Sequence, residues 1–83
     1  MKVQLRFFAS VREAVGRGSE SRDTAASTLG QLRDELLAQG EPYAQALAPG
    51  RAVRMALDQV MVDGDAALRE GCEVAFFPPV TGG

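Results

Sequence analysis

The chain has 83 residues, of which 46% are hydrophobic and 24% are charged, and its net charge is -2. This length suits one domain, near the lower limit of what folds without disulfides or metals. The chain contains one cysteine and no histidine, which excludes an internal disulfide framework and a Cys/His metal site. With so few side chains suited to acid–base or nucleophilic work, the composition disfavours an enzyme that is catalytic on its own.

The composition also limits the partners and the location. Because the chain is slightly acidic and has no basic run, we expect no binding to nucleic acid. No apolar stretch approaches the roughly 20 residues of a membrane span. The N-terminus alternates like a strand, unlike a signal peptide. We therefore expect a cytoplasmic protein with no membrane partner.

The first predicted element is a strand over residues 2–8, because apolar and polar residues alternate along it. Its inward side would hold Val3, Leu5 and Phe7. Residues 19–23 are polar and predict a weaker strand at the edge of the sheet, paired with the first.

Two capping boxes predict helix starts. Ser10 followed by Glu13 would begin a short helix of about one turn. Thr28 followed by Gln31 would begin the main helix. Helical spacing then gives one apolar stripe, formed by Leu29, Leu32 and Leu36. The solvent side of this helix would hold Arg33, Asp34 and Gln39.

Three further strands are predicted in the second half of the chain. Residues 53–57 and 60–62 form a hairpin around Asp58-Gln59, although neither residue is the glycine that such turns favour. Residues 73–77 are rich in Val, Ala and Phe and form the last strand, which belongs at the centre of the sheet.

Two strands, one main helix and three more strands predict an α+β fold with the helix on one face of a mixed sheet. The β-grasp fold is the simplest arrangement with this order. We assign residues 1–77 to this domain and residues 78–83 to an extended C-terminal tail.

The tail carries the strongest functional signal. Its sequence is Pro78, Pro79, Val80, Thr81, Gly82 and Gly83. The two prolines cannot donate to a strand ladder and favour an extended path. Six extended residues reach about 20 Å, far enough to enter the active site of a partner. The two glycines have no side chains, so the reactive group they present is the terminal carboxylate.

A carboxylate is a poor electrophile and must be activated before its oxygen can be replaced. Acyl adenylation by ATP supplies a leaving group, and a sulfur donor then gives a thiocarboxylate. A frayed terminus is the alternative, but a terminal Gly-Gly arises by chance in only about 0.5% of chains. We interpret Gly82 and Gly83 as the reactive end of a carrier that itself binds no cofactor, with ATP used by the activating partner.

These residues resemble the family of molybdopterin synthase small subunits, which are sulfur carriers of the ubiquitin-like β-grasp superfamily. Residues 76–83 match its C-terminal motif throughout, and residues 7–9 and 11–13 match its N-terminal motif. The Glu-Gly turn at residues 70–71 precedes the last strand as in the family. One departure is Asp58, where the family commonly has asparagine.

The resemblance implies that an E1-like adenylating enzyme activates and thiocarboxylates Gly83, with sulfur from a persulfide system. The tail would then insert into the large subunit of molybdopterin synthase. There it would donate sulfur to cyclic pyranopterin monophosphate in molybdenum cofactor biosynthesis. The dithiolene that forms needs two sulfurs, so two charged carriers would be consumed per pterin.

The strand alternation predicts a partner surface on the sheet face away from the helix. If Val60 and Val62 face the helix, then Met61 faces outward, and the same alternation turns Phe8 and Phe77 outward. These three side chains would form one apolar patch near the base of the tail, and such patches usually mark partner surfaces. The alternative is that one or more of them completes the core.

Three other functions remain open. One is a sulfur carrier of the thiamine pathway, and another is a ubiquitin-like modifier joined through Gly83 to lysines of target proteins. The third is an interaction module with an inert tail. Ferredoxin-type proteins of this fold are excluded by the cysteine count. Without a neighbouring histidine, Cys72 is expected to be a small buried hydrophobe rather than a sulfur-handling thiol.

Overall fold

A mixed five-stranded sheet with helices on one face organises the chain. The computed structural model describes residues 1–48 and 50–79, so the predictions for Val80, Thr81, Gly82 and Gly83 lie outside the described residues. The elements in chain order are β1 (Lys2–Phe7), α1 (Ala9–Val15), β2 (Ser19–Asp23), α2 (Leu29–Gln39), α3 (Tyr43–Ala46), β3 (Arg54–Leu57), β4 (Val60–Val62) and β5 (Glu73–Phe77).

The strand order is β2-β1-β5-β3-β4, which places the last strand at the centre. β1 runs parallel to β5, while β1–β2, β3–β4 and β3–β5 are antiparallel pairs. The predicted α+β class, the β-grasp architecture, the edge position of β2 and the central position of β5 are all confirmed.

One face of the sheet, the covered face, is packed against the helices. Its strand residues are fully or almost fully buried, and these are Val3, Leu5, Phe7, Val74 and Phe76. The rings of Phe7 and Phe76 lie stacked with centroids 6.0 Å apart. The predicted stripe of α2 is confirmed, because Leu29, Leu32 and Leu36 are buried in the same cluster. Burying this apolar area is the main source of stability in so small a domain.

The start of α2 matches its predicted capping box. The Thr28 Oγ1 accepts a hydrogen bond from the Gln31 backbone N–H at 3.2 Å. The Gln31 side chain reaches back to the N–H of Ser27 at 2.9 Å, one residue earlier than the standard reciprocal bond. The N–H of Gly30 donates to the carbonyl of Gly64 at 2.9 Å. The bond between Gly30 and Gly64 holds the loop between β4 and β5 against the start of α2.

The capping box predicted at Ser10 and Glu13 is wrong. The helix α1 begins at Ala9 and its N-cap is Phe8, with no side-chain cap. The carbonyl of Phe8 accepts the N–H groups of Val11 and Arg12 directly. The chain therefore turns from strand into helix one residue earlier than the box requires, and β1 ends at Phe7 rather than at residue 8.

The prediction that Arg33 lies on the solvent side of α2 is also wrong. Its guanidinium donates to the carbonyl of Leu47 from Nε at 3.0 Å and from Nη2 at 2.7 Å, and to the carbonyl of Ala48 at 3.3 Å. This side chain ties the end of α3 to α2.

Among the described residues, no helix is both long enough and apolar enough to cross a bilayer.

A polar cluster closes the helical side next to β2. The buried Tyr43 hydroxyl donates to the carboxylate of Glu20, and Arg22 lies between Glu20 at 3.7 Å and Glu35 at 3.3 Å. Burial, followed by the hydrogen bond and the charge of Glu20, raises the pKa of Tyr43 above its ordinary value.

Candidate partner-binding groove

The face of the sheet away from the helices, the open face, carries a groove at its tail end. The three predicted interface residues, Phe8, Met61 and Phe77, all line this groove, whose volume is about 610 Å³. Phe8 is 44% exposed and Met61 is 58% exposed, while Phe77 is half-buried. The structure thus brings the three side chains into one concave apolar surface, which we call the groove.

Small side chains on the central strands form the floor of the groove. Ala56 of β3 pairs with Ala75 of β5 on one side and with Met61 of β4 on the other. The methyl groups of the two alanines leave the space that larger residues would fill. The alternation along β3 and β5 is the sequence signal that places both alanines on the open face, but small residues carry no apolar signal of their own.

One end of the groove is polar. Arg6 Nη1 lies 3.4 Å from the Oε2 of Glu73, across the parallel pair β1–β5. The Arg6 guanidinium also lies over the Phe8 ring, 5.7 Å from its centroid. The two charged side chains remain partly exposed, so the ion pair adds little stability by itself. It instead gives an otherwise apolar groove a charged end.

The base of the tail borders the groove. Pro78 and Pro79 are half-buried and line it on one side. On their other side they line a smaller cleft of about 320 Å³, together with Val11 and Val53. A protein that contacts the groove is therefore also in contact with Pro78 and Pro79, the first two residues of the tail.

Left-handed backbone is concentrated beside the groove. Within residues 1–48 and 50–79, the non-glycine residues with positive φ are Ala9 at 51°, Asp58 at 49° and Gln59 at 69°. Ala9 and Gln59 line the groove, and Asp58 precedes Gln59 in the β3–β4 turn. Side chains other than glycine adopt this region at a cost, and such costs tend to be retained at functional sites.

Asp58 makes the most contacts in that turn. Its backbone N–H donates to the carbonyl of Glu73 at 2.8 Å, and its Oδ1 accepts the Glu73 N–H at 2.9 Å. Its Oδ2 accepts from Nη2 of Arg69 at 3.0 Å. The Glu73 N–H, followed by the Arg69 guanidinium, holds the pKa of the Asp58 carboxyl below its ordinary value.

The predicted orientation of β4 is confirmed, but only one of its two inward residues is buried against the core. Val60 pairs with Leu57 and so shares the covered face, but it is 63% exposed. β4 is the edge strand, and the core does not extend far enough to bury its first residue. Val62, nearer the loop that packs on α2, is partly buried against the core as predicted.

The described residues offer no evident second site. Cys72 is buried in the core cluster, as expected for a small hydrophobe. In the part of the chain that the structure describes, no group of three His, Cys, Asp or Glu side chains could hold a metal ion.

The chain is similar to a known protein family and to known relatives over nearly its full length. The model of the ThiS family matches residues 5–83. The molybdopterin synthase sulfur carrier subunit of Escherichia coli K12 is 42% identical over 81 residues, which is 98% of this chain and 99% of that protein. Small archaeal modifier protein 3 of Haloferax volcanii is 38% identical over 98 aligned positions that cover both chains fully.

Solved structures give the same architecture. SAMP1 from Haloferax volcanii superposes with a TM-score of 0.77 at 22% identity, covering both chains fully, which shows the fold alone. A protein–protein complex of subunits 1 and 2 of the molybdopterin-converting factor from Helicobacter pylori contains a chain with a TM-score of 0.70 and 26% identity, again with full coverage of both chains.

Proposed function

Because the chain belongs to the ThiS family, we propose that it is a sulfur carrier and serves as the small subunit of molybdopterin synthase. The observation that carries this proposal is the 42% identity with the Escherichia coli sulfur carrier subunit, over nearly the full length of both proteins. In this proposal residues 1–77 form the folded handle and residues 78–83 form the tail that bears the sulfur.

The chemistry takes place at the carboxylate of Gly83. A carboxylate oxygen attacks the α-phosphate of ATP, pyrophosphate leaves, and an acyl adenylate forms. A persulfide sulfur then attacks the acyl carbon, AMP leaves, and reduction of the resulting acyl disulfide by a thiol gives the thiocarboxylate. Gly82 lets the end of the tail pass through a narrow channel, since it has no side chain to exclude. An E1-like adenylating enzyme supplies the site for the ATP-dependent step.

Delivery occurs in the large subunit of molybdopterin synthase. The groove formed by Phe8, Met61 and Phe77 docks on that subunit and directs the tail into its active site. The Helicobacter pylori complex of subunits 1 and 2 supports such a pairing for a related chain. The thiocarboxylate sulfur of Gly83 then bonds to a carbon of cyclic pyranopterin monophosphate, and water hydrolyses the bond between the acyl carbon and the sulfur. The sulfur stays on the pterin, and Gly83 returns to a carboxylate.

The chain contributes no catalytic side chain of its own in this scheme. It holds no cofactor, because ATP and the persulfide belong to its activating partners. We expect both exchanges to take place in the cytoplasm. The folded domain is the part that partner proteins bind. The tail presents the Gly83 carboxylate without side chains that would block access to it.

Mass spectrometry of the intact chain tests the proposal. The protein is incubated with an E1-like adenylating enzyme, ATP and a persulfide sulfur source, and the mass is compared with that of a variant lacking Gly82 and Gly83. We expect the mass change of one oxygen replaced by sulfur in the wild type and no change in the shortened variant. The charged wild type should then support molybdopterin formation with the large subunit.

Unmodified protein under these conditions would contradict the proposal, as would full molybdopterin synthesis by the variant that lacks Gly82 and Gly83. The variant keeps every described residue, so we expect its unfolding curve to match the wild type. That comparison separates a loss of chemistry from a loss of folding.

A ubiquitin-like modifier is the second candidate function, favoured by the 38% identity with small archaeal modifier protein 3. Modification would join the Gly83 carboxyl to lysine amines of other proteins. Lysine-linked adducts in the same mass-spectrometry experiment would support the modifier function. If a thiocarboxylate forms and no such adducts are found, the sulfur-carrier function is the one supported.

A further inference from the structure

The turn between β3 and β4 is attached to the central strand through one residue. Asp58 exchanges two backbone-directed hydrogen bonds with Glu73, one from its own N–H and one to its Oδ1, at 2.8 and 2.9 Å. The other carboxylate oxygen of Asp58, Oδ2, accepts a hydrogen bond from Nη2 of Arg69 at 3.0 Å. Both partners belong to β5 or to the loop before it, so the turn is held from outside its own hairpin.

The same contacts continue across the groove. Glu73, whose N–H is held by Asp58, places its carboxylate 3.4 Å from Arg6. Arg6 in turn lies over the ring of Phe8. Met61 follows the turn on β4 and forms the opposite wall. Polar contacts thus connect Asp58, in the turn that precedes Met61, through Glu73 to Arg6, which lies beside Phe8.

We propose that Asp58 is a positioning residue of the groove: its carboxylate fixes the β3–β4 turn against β5 and so sets the separation of Met61 from Phe8. The inference rests on the proposed docking of the large subunit in this groove. It assigns a function to the position at which the chain departs from the asparagine common in the family it resembles.

The carboxylate suits this position because it has two acceptor oxygens for two donors. An asparagine has one acceptor oxygen, so it keeps the bond to the Glu73 N–H and turns its amide, itself a donor, toward the Arg69 guanidinium. Asparagine also tolerates the left-handed backbone found at Asp58. Asparagine should therefore keep part of the positioning effect.

Asp58 is exposed, and the hairpin has its own ladder between β3 and β4. Glycine is favoured in turns that need positive φ at both central positions. Asp58→Gly therefore removes the side-chain contacts without straining the backbone. This substitution separates positioning of the groove from stability of the fold.

The test uses the full-length chain with its methionine methyl groups labelled with ¹³C. The three methionines report on three places: Met1 at the start of the chain, Met55 facing the core and Met61 in the groove. Methyl NMR spectra are recorded for wild type, Asp58→Gly and Asp58→Asn. The affinity of each for the large subunit of molybdopterin synthase is measured by calorimetry.

In Asp58→Gly we expect the Met61 signal to move while Met1 and Met55 stay in place, and the affinity to fall about fivefold, the effect of one net hydrogen bond. In Asp58→Asn we expect a loss of about twofold or less. Asp63→Ala is the matched control, since Asp63 also accepts a backbone N–H in an exposed turn, from Asp65 at 3.1 Å, but lies outside the groove.

An unchanged Met61 signal or an unchanged affinity in Asp58→Gly overturns the inference, and so does an equal loss in Asp63→Ala. If wild type itself does not bind the large subunit, the proposed function is wrong. The Met61 signal then decides alone whether Asp58 positions the groove. The thermal midpoint of Asp58→Gly is measured as well. If the variant is so destabilised that its unfolded fraction explains the whole loss of affinity, the result counts against positioning.

Discussion

The covered face and the open face of the sheet are made from alternate residues of the same strands, yet they differ in what they are built to contact. Phe76 on the covered face is fully buried, while its neighbour Phe77 turns to the open face and lines the groove. Large side chains fill the covered face. On the open face two alanines leave a hollow between larger walls. One face therefore stabilises the fold, while the other keeps an exposed concave surface.

Replacing Phe76 by alanine should give the largest effect, because it opens a cavity on the covered face. We expect a loss of about 3–5 kcal/mol in the free energy of unfolding, as for other fully buried aromatic residues. Urea denaturation followed by circular dichroism measures it. A loss below about 1 kcal/mol would mean that the covered face is not the main source of stability.

Phe77→Ala removes the adjacent ring from the open face instead. We expect the affinity for the large subunit to fall about tenfold, as for an aromatic residue central to an interface. The free energy of unfolding should change much less than in Phe76→Ala. Calorimetric titration and urea denaturation on the same preparation give both values. Equal losses of stability in the two variants would remove the distinction between the faces.

The pH dependence of unfolding examines the polar cluster beside the covered face. Because the folded-state pKa of Tyr43 is raised above 10.0, its contribution to stability is complete below pH 10.0 and is lost as the pH rises toward the folded-state value. Glu20, Arg17 and Arg22 are the charged groups that face it. Tyr43→Phe should cost about 1 kcal/mol at neutral pH and should abolish this alkaline loss. An identical alkaline slope in the variant would assign the loss to other groups.

Val60→Thr should have the smallest effect and marks where the covered face ends. Val60 lies on that face but is 63% exposed. We expect a change within about 0.5 kcal/mol in the free energy of unfolding and no change in affinity for the large subunit. A loss above about 1.5 kcal/mol, the range of a buried methyl group, would show that the core extends over β4.

Local patterns in the sequence were enough to predict the strands and their faces. The alternation at Val3, Leu5 and Phe7 and the spacing of Leu29, Leu32 and Leu36 each follow directly from the strand and helix periods. The same alternation predicted that Phe8, Met61 and Phe77 share the open face. The tail prediction at Gly82 and Gly83 falls on residues that the structure does not describe, and it stays a prediction.

The errors arose where distant parts of the chain decide the local structure. The contacts of Arg33 lie on Leu47 and Ala48, which no pattern within α2 indicates. Ser10 fits a capping box, but the N-cap is Phe8. The Phe8 N–H donates to the carbonyl of Phe76 in β5, and this contact is remote in sequence. The sequence predicts Asp58 as a turn residue, but its bonds to Glu73 depend on a strand that is remote in sequence.

The central position of β5 affects how the chain folds during synthesis. β1 is synthesised first and β5 last, yet the two strands pair with each other. Such long-range pairing is slow to form. A polypeptide interrupted before Glu73 lacks the middle of its sheet and exposes the inner surface of β1, and exposed surfaces of this kind favour aggregation. The ribosome must therefore reach the tail before a stable domain can exist. We therefore expect chains that end before β5 to remain unfolded.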